Sequence, residues 1–462
     1  MNSKTYRTHQ YLRPRHRYVI TRCNVYVDTA GNNSPLQCVR CVFMRRLPQG
    51  LEENIHHVHE RLYSTGTINV QRKSRRRMKA WQIHQYGGNE ELVLSTEARV
   101  PEIKKPKEIL IEIHAASVNP IDVVMRGGYG RTIINQMRTW LGGGPGSEFP
   151  LTLGRDFSGV VTQTGHGVTR FKPGDEVWGA LAAQRQGTHS QFCVTSEDEI
   201  SKKPTSLSHI EAASIPYVAT TSWAALVTCG EMSEQKARDK RVLIHGGAGG
   251  IGTFAIQLMK AWGAEVVTTV ASDAMPLVKH LGADHVIDYR TQDIMEELKG
   301  IGKLDLVLDP VGGEETERTL ARLRPYHHYV TLVMPLLPDA DKHGLIPGLA
   351  RSALNLNYNL AKGITKGLAS YRWAFFMPNG NALKKIAILV DAGKFEMFQE
   401  KQLKLFHVAH IRLIAMICSE LFGSTGDFSV ASIDVLFGVR EPGKPFESVF
   451  SNLGRLLGDL GL

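Results

Sequence analysis

One short segment constrains the fold of this chain more than any other. Residues Arg241–His245 (RVLIH) form a short, mostly apolar run that is typical of a strand buried on both faces. A glycine-rich turn, Gly246–Gly252, comes directly after it. The pattern of Thr253–Trp262 then predicts a helix, and Glu265–Val270 predicts the next strand. This order indicates a parallel sheet flanked by helices, as in a doubly wound Rossmann domain.

The spacing of three glycines in the turn, G-x-G-x-x-G, predicts a dinucleotide site. Gly247 permits the tight turn, Gly249 lets the backbone approach a pyrophosphate, and Gly252 lets the helix pack on the strand. A purely structural turn is the alternative, but the position between a buried strand and a helix makes the motif specific. We expect cofactor contacts from the whole turn, which comprises Gly247, Ala248, Gly249, Gly250, Ile251 and Gly252.

The end of the second strand indicates which dinucleotide binds. NAD sites usually carry an acid there, which binds the ribose 2′-hydroxyl. Here no acid stands at Ala271, and Ser272 can donate to a 2′-phosphate. Asp273 favours the opposite conclusion, and Lys279 is either a phosphate ligand or a solvated helix charge. We expect NADPH as the cofactor, with NADH as the alternative.

The formal net charge of +10 is concentrated in a leader. Residues 1–77 hold 15 Lys and Arg against 4 Asp and Glu, which leaves 40 against 41 for the remaining residues. A leader of this composition is typical of a disordered mitochondrial presequence, with Arg61–Ser64 resembling a processing site. A basic tail that binds acidic partners is the alternative, and a start at Met44 would make residues 1–43 an extension. The nearly neutral body does not favour nucleic-acid binding.

The chain length and the cysteines further limit the class of protein. A chain of 462 residues predicts two domains with appendages, and no apolar run is long enough to predict a transmembrane helix. The six cysteines include one C-x-x-C pair, Cys38 and Cys41, without a second pair at zinc-finger spacing. We therefore expect neither a disulfide framework nor a zinc finger.

Short strands punctuated by Gly and Pro predict a partly open β-barrel before the cofactor domain. The clearest strand is Glu108–Ile113, and Gly159–Thr164 and Glu176–Trp178 are further candidates. Residues 131–148 look like a mobile insertion because their second half is rich in glycine. The S-x-x-E spacing at Ser208 predicts a helix start, and Pro216 is expected to separate that helix from a second one over Val218–Val227.

Four strings carry a family resemblance: ASVNPID, LGRDFSG, FKPGDEV and IPYVATTSWA, at 116–122, 153–159, 171–177 and 215–224. Together they resemble the medium-chain dehydrogenase/reductase superfamily, in its quinone oxidoreductase branch. The resemblance implies a GroES-like catalytic domain followed by a Rossmann domain. Zinc-dependent relatives place a Cys at the position of Asn119 and a His-Glu pair at Arg155-Asp156. This chain has neither, so the resemblance implies no metal and hydride delivery to a quinone or another conjugated carbonyl.

The resemblance also assigns candidate roles to single residues. Asn119 would be a hydrogen-bond donor near nicotinamide and substrate, or else an ordinary Asn-Pro turn residue. Tyr129 would reach a substrate oxygen from a flexible loop, or be an exposed loop aromatic. Asp156 would be structural. The cofactor would be bordered by further residues, for each of which packing is the alternative: Thr220, Tyr289, Val311, Leu332, Phe375 and Phe376.

The strings YRWAFFM (371–377) and LVDAGK (389–394) narrow the resemblance to a mitochondrial, reticulon-interacting subgroup of that branch. It covers residues 78–394 and implies a mitochondrial enzyme linked to ubiquinone metabolism, with a reticulon-type partner and a homodimer as family-level expectations. We expect a GroES-like domain at 78–206, a Rossmann domain at 207–378, and a C-terminal segment at 379–462. Residues 395–462 do not resemble the subgroup, so the first domain is expected to lack part of its sheet.

Three hypotheses follow. The first is NADPH-dependent reduction of a quinone or related conjugated carbonyl. The second is an enoyl-thioester reductase, which has the same fold and cofactor but needs an acyl tunnel. The third is a non-catalytic NADPH-binding protein that associates with reticulon-type membrane proteins, which predicts cofactor binding without turnover.

Overall fold

The computed structural model describes residues 18–27, 37–46, 76–140, 148–365 and 370–395. The chain divides into two compact units, Met1–Ser74 and Arg75–Leu462. In the first unit, strands β1 (Tyr18–Val27) and β2 (Gln37–Arg46) pair antiparallel. These strands lie within the stretch for which a disordered presequence is expected. The segment resembling a processing site, Arg61–Ser64, lies outside the described residues.

The second unit begins with a domain of short antiparallel strands. One sheet has the order β10-β8-β7-β5-β9 and the other β4-β3-β6. The two sheets form the curled, GroES-like architecture that the sequence predicts. The strands are β3 (Arg77–Ile83), β4 (Val93–Arg99), β5 (Glu108–Ala115), β6 (Leu151–Thr152), β7 (Asp156–Thr164), β8 (Glu176–Ala180), β9 (Phe192–Ser196) and β10 (Ile200–Lys202).

The alternation in β5 shows why these residues form this sheet. Ile109, Ile111 and Ile113 are buried in one core. On the opposite face Glu112 and His114 are exposed, while Glu108 and Leu110 at the start of the strand are also buried. Because successive strand side chains point to opposite faces, this pattern fixes which face is inside. The three strands predicted in this domain are confirmed.

Two helices connect the strands of this domain, α1 (Pro120–Arg126) and α2 (Arg131–Trp140). The expectation of a mobile insertion over 131–148 is therefore wrong for residues 131–140. The helix buries Ile134 and Arg138, and its first amides find an acceptor on a distant segment, contacts that local composition does not reveal. The glycine-rich part, 141–147, lies outside the described residues.

The second domain holds a six-stranded parallel sheet in the order β13-β12-β11-β14-β15-β16. This is the Rossmann order, with the switch point between β11 and β14. Ligands bind such sheets at the carboxyl ends of the strands near that point. The strands are β11 (Arg241–His245), β12 (Glu265–Val270), β13 (His285–Asp288), β14 (Leu304–Asp309), β15 (Leu323–Thr331) and β16 (Ser370–Trp373).

Helices cover both faces of this sheet, and two of their starts differ from the sequence-based prediction. Helix α4 begins at Pro216 itself, because a proline at the first helical position needs no acceptor. The helix after the glycine turn begins at Gly250 rather than Thr253. The helices are α3 (His209–Ala212), α4 (Pro216–Trp223), α5 (Glu234–Ala237), α6 (Gly250–Ala261), α7 (Met275–His280), α8 (Ile294–Ile301), α9 (Glu314–Glu317), α10 (Leu336–His343), α11 (Leu345–Thr365) and α12 (Gly380–Asp391).

Helix α12 ties the two domains together. A Cβ atom added at Gly380 would lie 2.2 Å from the carbonyl oxygen of Ile200, so α12 packs directly on β10. At its other end, the carboxylate of Asp391 accepts hydrogen bonds from the amide and hydroxyl of Ser206. The expectation for 395–462 falls almost entirely outside the described residues. Within the described part of the chain, every helix is too short or too polar to cross a membrane.

Candidate active site

The glycine turn after β11 packs tightly on both sides and leaves one position open. A Cβ atom added to Gly247 would lie 2.0 Å from Thr268 Oγ1. One added to Gly252 would lie 2.3 Å from the carbonyl oxygen of Gly246. At Gly249 the nearest atom would be 3.5 Å away. The left-handed backbone, with φ of 64°, is at Gly246 rather than at Gly247. The tight turn is thus made by Gly246, while Gly247 permits close packing on β12.

Helix α6 starts at the open side of this turn. Gly249 is its N-cap residue and offers no side chain to the first-turn amides. Those amides, from Gly250, Ile251 and Gly252, have no acceptor within an α-helix. The apolar side chains of Ala248 and Ile251 pack on the core. The arrangement fits a dinucleotide pyrophosphate, because it combines free N–H groups with room above Gly249.

The turn after β14 meets the glycine turn. Asp309 is buried and accepts hydrogen bonds from the amides of Val311 and Gly312 and from the Tyr329 hydroxyl. The Val311 side chain is 57% exposed, and a Cβ atom at Gly246 would lie 2.9 Å from it.

The chain after β15 adds to this apolar surface. The Leu332 amide donates to the backbone oxygen of Asp309 at 2.9 Å, and the Leu332 side chain packs on the core. The following residue, Val333, is 49% exposed and would contact a Cβ atom at Gly312. Val311 and Val333 therefore form an exposed apolar surface beside the glycine turn, where a nicotinamide ring would fit.

The other end of the site lies after β12 and β13. The Ser272 hydroxyl donates to the Asp288 carboxylate, which holds the pKa of Asp288 below its usual range. Ser272 is thus already engaged within the protein. Tyr289 is 52% exposed, and the Arg290 guanidinium lies 5.9 Å from its ring centroid. Arg290 also lies 3.8 Å from Asp273.

A buried carboxylate organises the first-domain side of the site. Asp156 accepts hydrogen bonds from Ser117 Oγ at 2.6 Å, from Asn119 Nδ2 at 2.7 Å, and from the Tyr217 amide. Burial raises the pKa of Asp156 to about 7, against the opposite effect of these three donors. The structural role expected for Asp156 agrees with this geometry.

The side chain of Asn119 is more constrained than the sequence suggests. Its Nδ2 donates to both Asp156 and Ser117 Oγ, and its backbone amide donates to Asp122 at the start of α1. Both amide protons are committed inside the protein. The side chain therefore keeps no free proton for a ligand, whereas the family resemblance implies a donor.

The Asp156 cluster reaches the carboxyl edge of the parallel sheet through Tyr217. The Tyr217 ring packs on Phe376, with centroids 4.6 Å apart. Phe376 and the 41% exposed Phe375 follow β16, where Ala374 still pairs with β15. Thr220 is also close in sequence, but it is buried and its hydroxyl donates to the carbonyl of Pro216, so it has no proton left for a cofactor.

Tyr129 lies between α1 and α2 and is half-buried, and burial raises its pKa. The next residues are fixed by the second domain. The Asp341 carboxylate of α10 accepts hydrogen bonds from the amides of Gly130, at 2.5 Å, and Thr132, at 2.9 Å. The loop that carries Tyr129 is therefore anchored across the domains.

A buried cation lies next to this cluster. Arg155 is 1% exposed; its Nη1 donates to the carbonyl of Ala182, and its Nε lies 3.8 Å from Asp122. Nε and Nη2 of Arg155 have no hydrogen-bond partner within the described part of the chain. Within the residues that the structure describes, no three His, Cys, Asp or Glu side chains come together as a metal site.

Comparisons with known proteins agree with this architecture. A family model described as "Alcohol dehydrogenase GroES-like domain" matches residues 105–205, and one described as "Zinc-binding dehydrogenase" matches residues 250–343. The chain is 48% identical over 327 residues to mouse "NAD(P)H oxidoreductase RTN4IP1, mitochondrial", covering 70% of this chain and 82% of that protein. The chain belongs to the medium-chain dehydrogenase/reductase superfamily.

Two more comparisons extend this assignment within the superfamily. A nematode relative, "Reticulon-4-interacting protein 1, mitochondrial" from Caenorhabditis elegans, is 37% identical over 328 residues, covering 69% of this chain and 86% of that one. The Escherichia coli quinone oxidoreductase, solved with NADPH, superposes with a TM-score of 0.53 at 26% identity, covering 70% of this chain and 91% of that chain. This member of the superfamily is an oxidoreductase, and the predicted family is confirmed.

Sequence reasoning did not single out four residues that the structure places in or beside the candidate site. Gly246 precedes the recognised motif but has the left-handed backbone. Val333 and Arg290 directly follow Leu332 and Tyr289, which the sequence analysis names as candidates, so the next residue along the chain was the available signal in both cases. Tyr217 was visible only as part of a family string, because nothing in its spacing indicates that it faces Asp156 and Phe376.

Proposed function

We propose that this protein is a zinc-independent, NADPH-dependent reductase of a quinone or a related conjugated carbonyl. The proposal depends on one observation: the glycine turn and the Asp156 cluster both lie at the carboxyl edge of the parallel sheet. The glycine turn offers free amides for a pyrophosphate, and the Asp156 cluster reaches the same carboxyl edge through Tyr217 and Phe376. A cofactor along this edge would extend towards the polar cluster of the first domain.

Different residues would hold the pyrophosphate, the adenine and the nicotinamide of the cofactor. The turn from Gly247 to Gly252 would hold the pyrophosphate, and Tyr289 would flank the adenine. Val311, Leu332 and Phe375 would border the nicotinamide, which supplies a hydride when bound. Asn119 and Tyr129 would contact the acceptor, and Asp156 would hold the Asn119 amide in one orientation.

The preference for NADPH over NADH rests on charge at the end of β13. Arg290 is 59% exposed and lies 3.8 Å from Asp273, which follows the end of β12 where a 2′-phosphate would be bound. A guanidinium binds a phosphate with charge-assisted hydrogen bonds, and a 2′-hydroxyl gains little from it. The solved Escherichia coli relative, which contains NADPH, supports this choice.

The residues at the zinc-ligand positions of the resembled family indicate which class of acceptor is reduced. Arg155 is a buried cation at the position where zinc enzymes of the resembled family place a His, and a cation repels a metal ion. Without a metal to polarise an alcohol or simple ketone, a conjugated acceptor is the appropriate substrate, because its extended π-system stabilises the charge left by hydride addition. The Escherichia coli relative is named a quinone oxidoreductase, which supports the same acceptor class.

We also propose a mitochondrial location and a link to ubiquinone, since the mouse and nematode relatives are both called mitochondrial and quinones are the favoured acceptors. A reticulon-type partner is supported by the name of the nematode relative, and a homodimer by family resemblance. The basic leader would act as the presequence.

A two-part experiment tests the function. Calorimetric titration of the full chain with NADPH and with NADH measures cofactor choice, and NADPH oxidation is then followed with a benzoquinone, a short-chain ubiquinone, an enone and a crotonyl thioester. We expect turnover with the first three and little with the thioester. Preference for the thioester would favour the enoyl-thioester reductase, and NADPH binding without turnover would favour the non-catalytic binding protein.

A further inference from the structure

The polar groups around Asp156 differ in whether their protons are free. Ser117 Oγ and Asn119 Nδ2 donate to Asp156. The hydroxyls of Thr220 and Thr221 donate to carbonyls of their own helix, each at 2.6 Å. None of these four groups retains a proton that it can give to a substrate without breaking an internal hydrogen bond.

The Tyr217 hydroxyl is the exception in this cluster. Among the residues that the structure describes, the hydroxyl has no hydrogen-bond partner. The residue as a whole is half-buried. Its backbone amide is fixed by Asp156 and its ring by Phe376, at 4.6 Å. The hydroxyl is therefore held in place while its proton stays available, which is the geometry of a preorganised donor.

We propose that Tyr217 is the residue that donates a hydrogen bond to the carbonyl oxygen of the acceptor. The inference rests on the function proposed above and adds the group that replaces a metal ion as the electrophile. When a conjugated acceptor takes up a hydride, its carbonyl oxygen gains an electron pair. That oxygen takes the Tyr217 proton, and water returns a proton to the phenolate, so one hydride and one proton are added in total.

The electrostatic surroundings of Tyr217 suit this role. The groups that act electrostatically on its phenol include Asp122, Asp156, Arg155 and Tyr129. Burial, followed by the two carboxylates, raises the pKa of Tyr217, so the phenol stays protonated and remains a donor at neutral pH. The Arg155 guanidinium, with Nε and Nη2 unpartnered in the described part of the chain, would offset the negative charge that develops on the phenol.

Tyr129 is the competing donor, since it is the hydroxyl that the family resemblance assigns to the substrate. Its loop is anchored by Asp341 and burial also raises its pKa. The difference is that Tyr217 belongs to the Asp156 cluster and packs on Phe376 at the sheet edge, whereas the Tyr129 ring has no such ring partner in the described residues.

The test compares Tyr217→Phe with Tyr129→Phe in the full chain. Removing only the hydroxyl keeps the ring packing on Phe376, and thermal unfolding confirms that each variant folds. We expect Y217F to bind NADPH as the wild type does and to lose about a hundredfold or more in kcat with a benzoquinone. Y129F should lose less than Y217F.

A second readout does not need turnover. The carbonyl resonance of a 13C-labelled enone, bound together with NADP+, should move downfield in the wild type and in Y129F but not in Y217F. The proposal would be overturned if Y217F kept the wild-type kcat and still moved the carbonyl resonance downfield. It would also be overturned if Y129F, and not Y217F, lost both the kcat and the downfield shift. NADPH binding without turnover in the wild type would overturn the proposed function, and the resonance would then still decide whether Tyr217 contacts the oxygen.

Discussion

The side-chain amide of Asn119 donates to the carboxylate of Asp156 at 2.7 Å, and both residues are buried. This hydrogen bond fixes the orientation of the Asn119 amide, because its nitrogen is used inside the protein. It also makes the protonation of one carboxyl group part of the geometry of the site. The pH dependence of the fold should therefore report on Asp156.

The first prediction concerns stability against pH. The pKa of Asp156 is raised from 3.8 to about 7, so the folded state binds a proton that the unfolded chain has lost. Its contribution is fully present below pH 3.8 and is lost as the pH rises through about 7. Urea unfolding at intervals from about pH 5 to 8.5 should show the wild type losing stability relative to Asp156→Asn up to about pH 7, then no further change. A difference that is constant over the whole range would contradict this expectation.

Substitutions at two glycines of the turn should have different effects on stability and on cofactor binding. Gly252→Ala places a methyl group 2.3 Å from a backbone oxygen, so we expect a loss of about 1–3 kcal/mol in the free energy of unfolding together with weaker NADPH binding. In Gly249→Ala the methyl group meets no atom closer than 3.5 Å, so stability should change by less than about 1 kcal/mol.

Calorimetry and urea unfolding of the same two variants provide the comparison. G249A should still lose NADPH affinity, because its methyl group points to the space expected for the pyrophosphate. Tight NADPH binding by G249A would place the phosphates elsewhere.

Arg290 should determine cofactor choice. Replacing it with Gln removes a charge next to the proposed 2′-phosphate site, and losing a charge-assisted hydrogen bond of about 1.5–3 kcal/mol corresponds to a tenfold or greater rise in the Kd of NADPH. The Kd of NADH should not change. Lys299→Gln is the matched control, since Lys299 is an exposed cation on α8 that pairs with Glu296, and it should leave the Kd of both cofactors unchanged. Equal effects of R290Q on both cofactors would remove Arg290 from this role.

Asp341 should keep the Tyr129 loop ordered. Asp341→Ala removes the acceptor for the amides of Gly130 and Thr132, so hydrogen exchange should become faster in residues 130–140 and kcat/KM for the acceptor should fall. Asp339→Asn, on the same helix but bonded to Ser352, is the control and should leave both quantities unchanged. Unchanged exchange in D341A would show that the loop is held by other contacts.

The sequence predicted the parts of this fold that depend on local patterns. The alternation in Glu108–Ile113 and the run Arg241–His245 were enough, because burial on one face or on both leaves a direct trace in residue order. Helix α2 was missed because its start depends on Asp341, about two hundred residues away in sequence.

The site shows the same division. The glycine motif was recognised, but the tight backbone lies at Gly246, since a spacing pattern does not determine which glycine has a positive φ. Ser272 was expected to be free for a phosphate, and its bond to Asp288 could not be anticipated because it joins two neighbouring strands. Tyr217 depends on the same kind of distant contact, with Asp156 and Phe376.

The central claim is that the glycine turn and the Asp156 cluster together transfer a hydride to a conjugated acceptor. The most direct measurement is the rate of quinone-dependent oxidation by the full chain of NADPH deuterated at either C4 position. Direct hydride transfer predicts that one of the two labelled forms, and not the other, reacts more slowly than unlabelled NADPH. The claim would be contradicted if NADPH bound to the protein but its oxidation were no faster with any quinone or enone than without one.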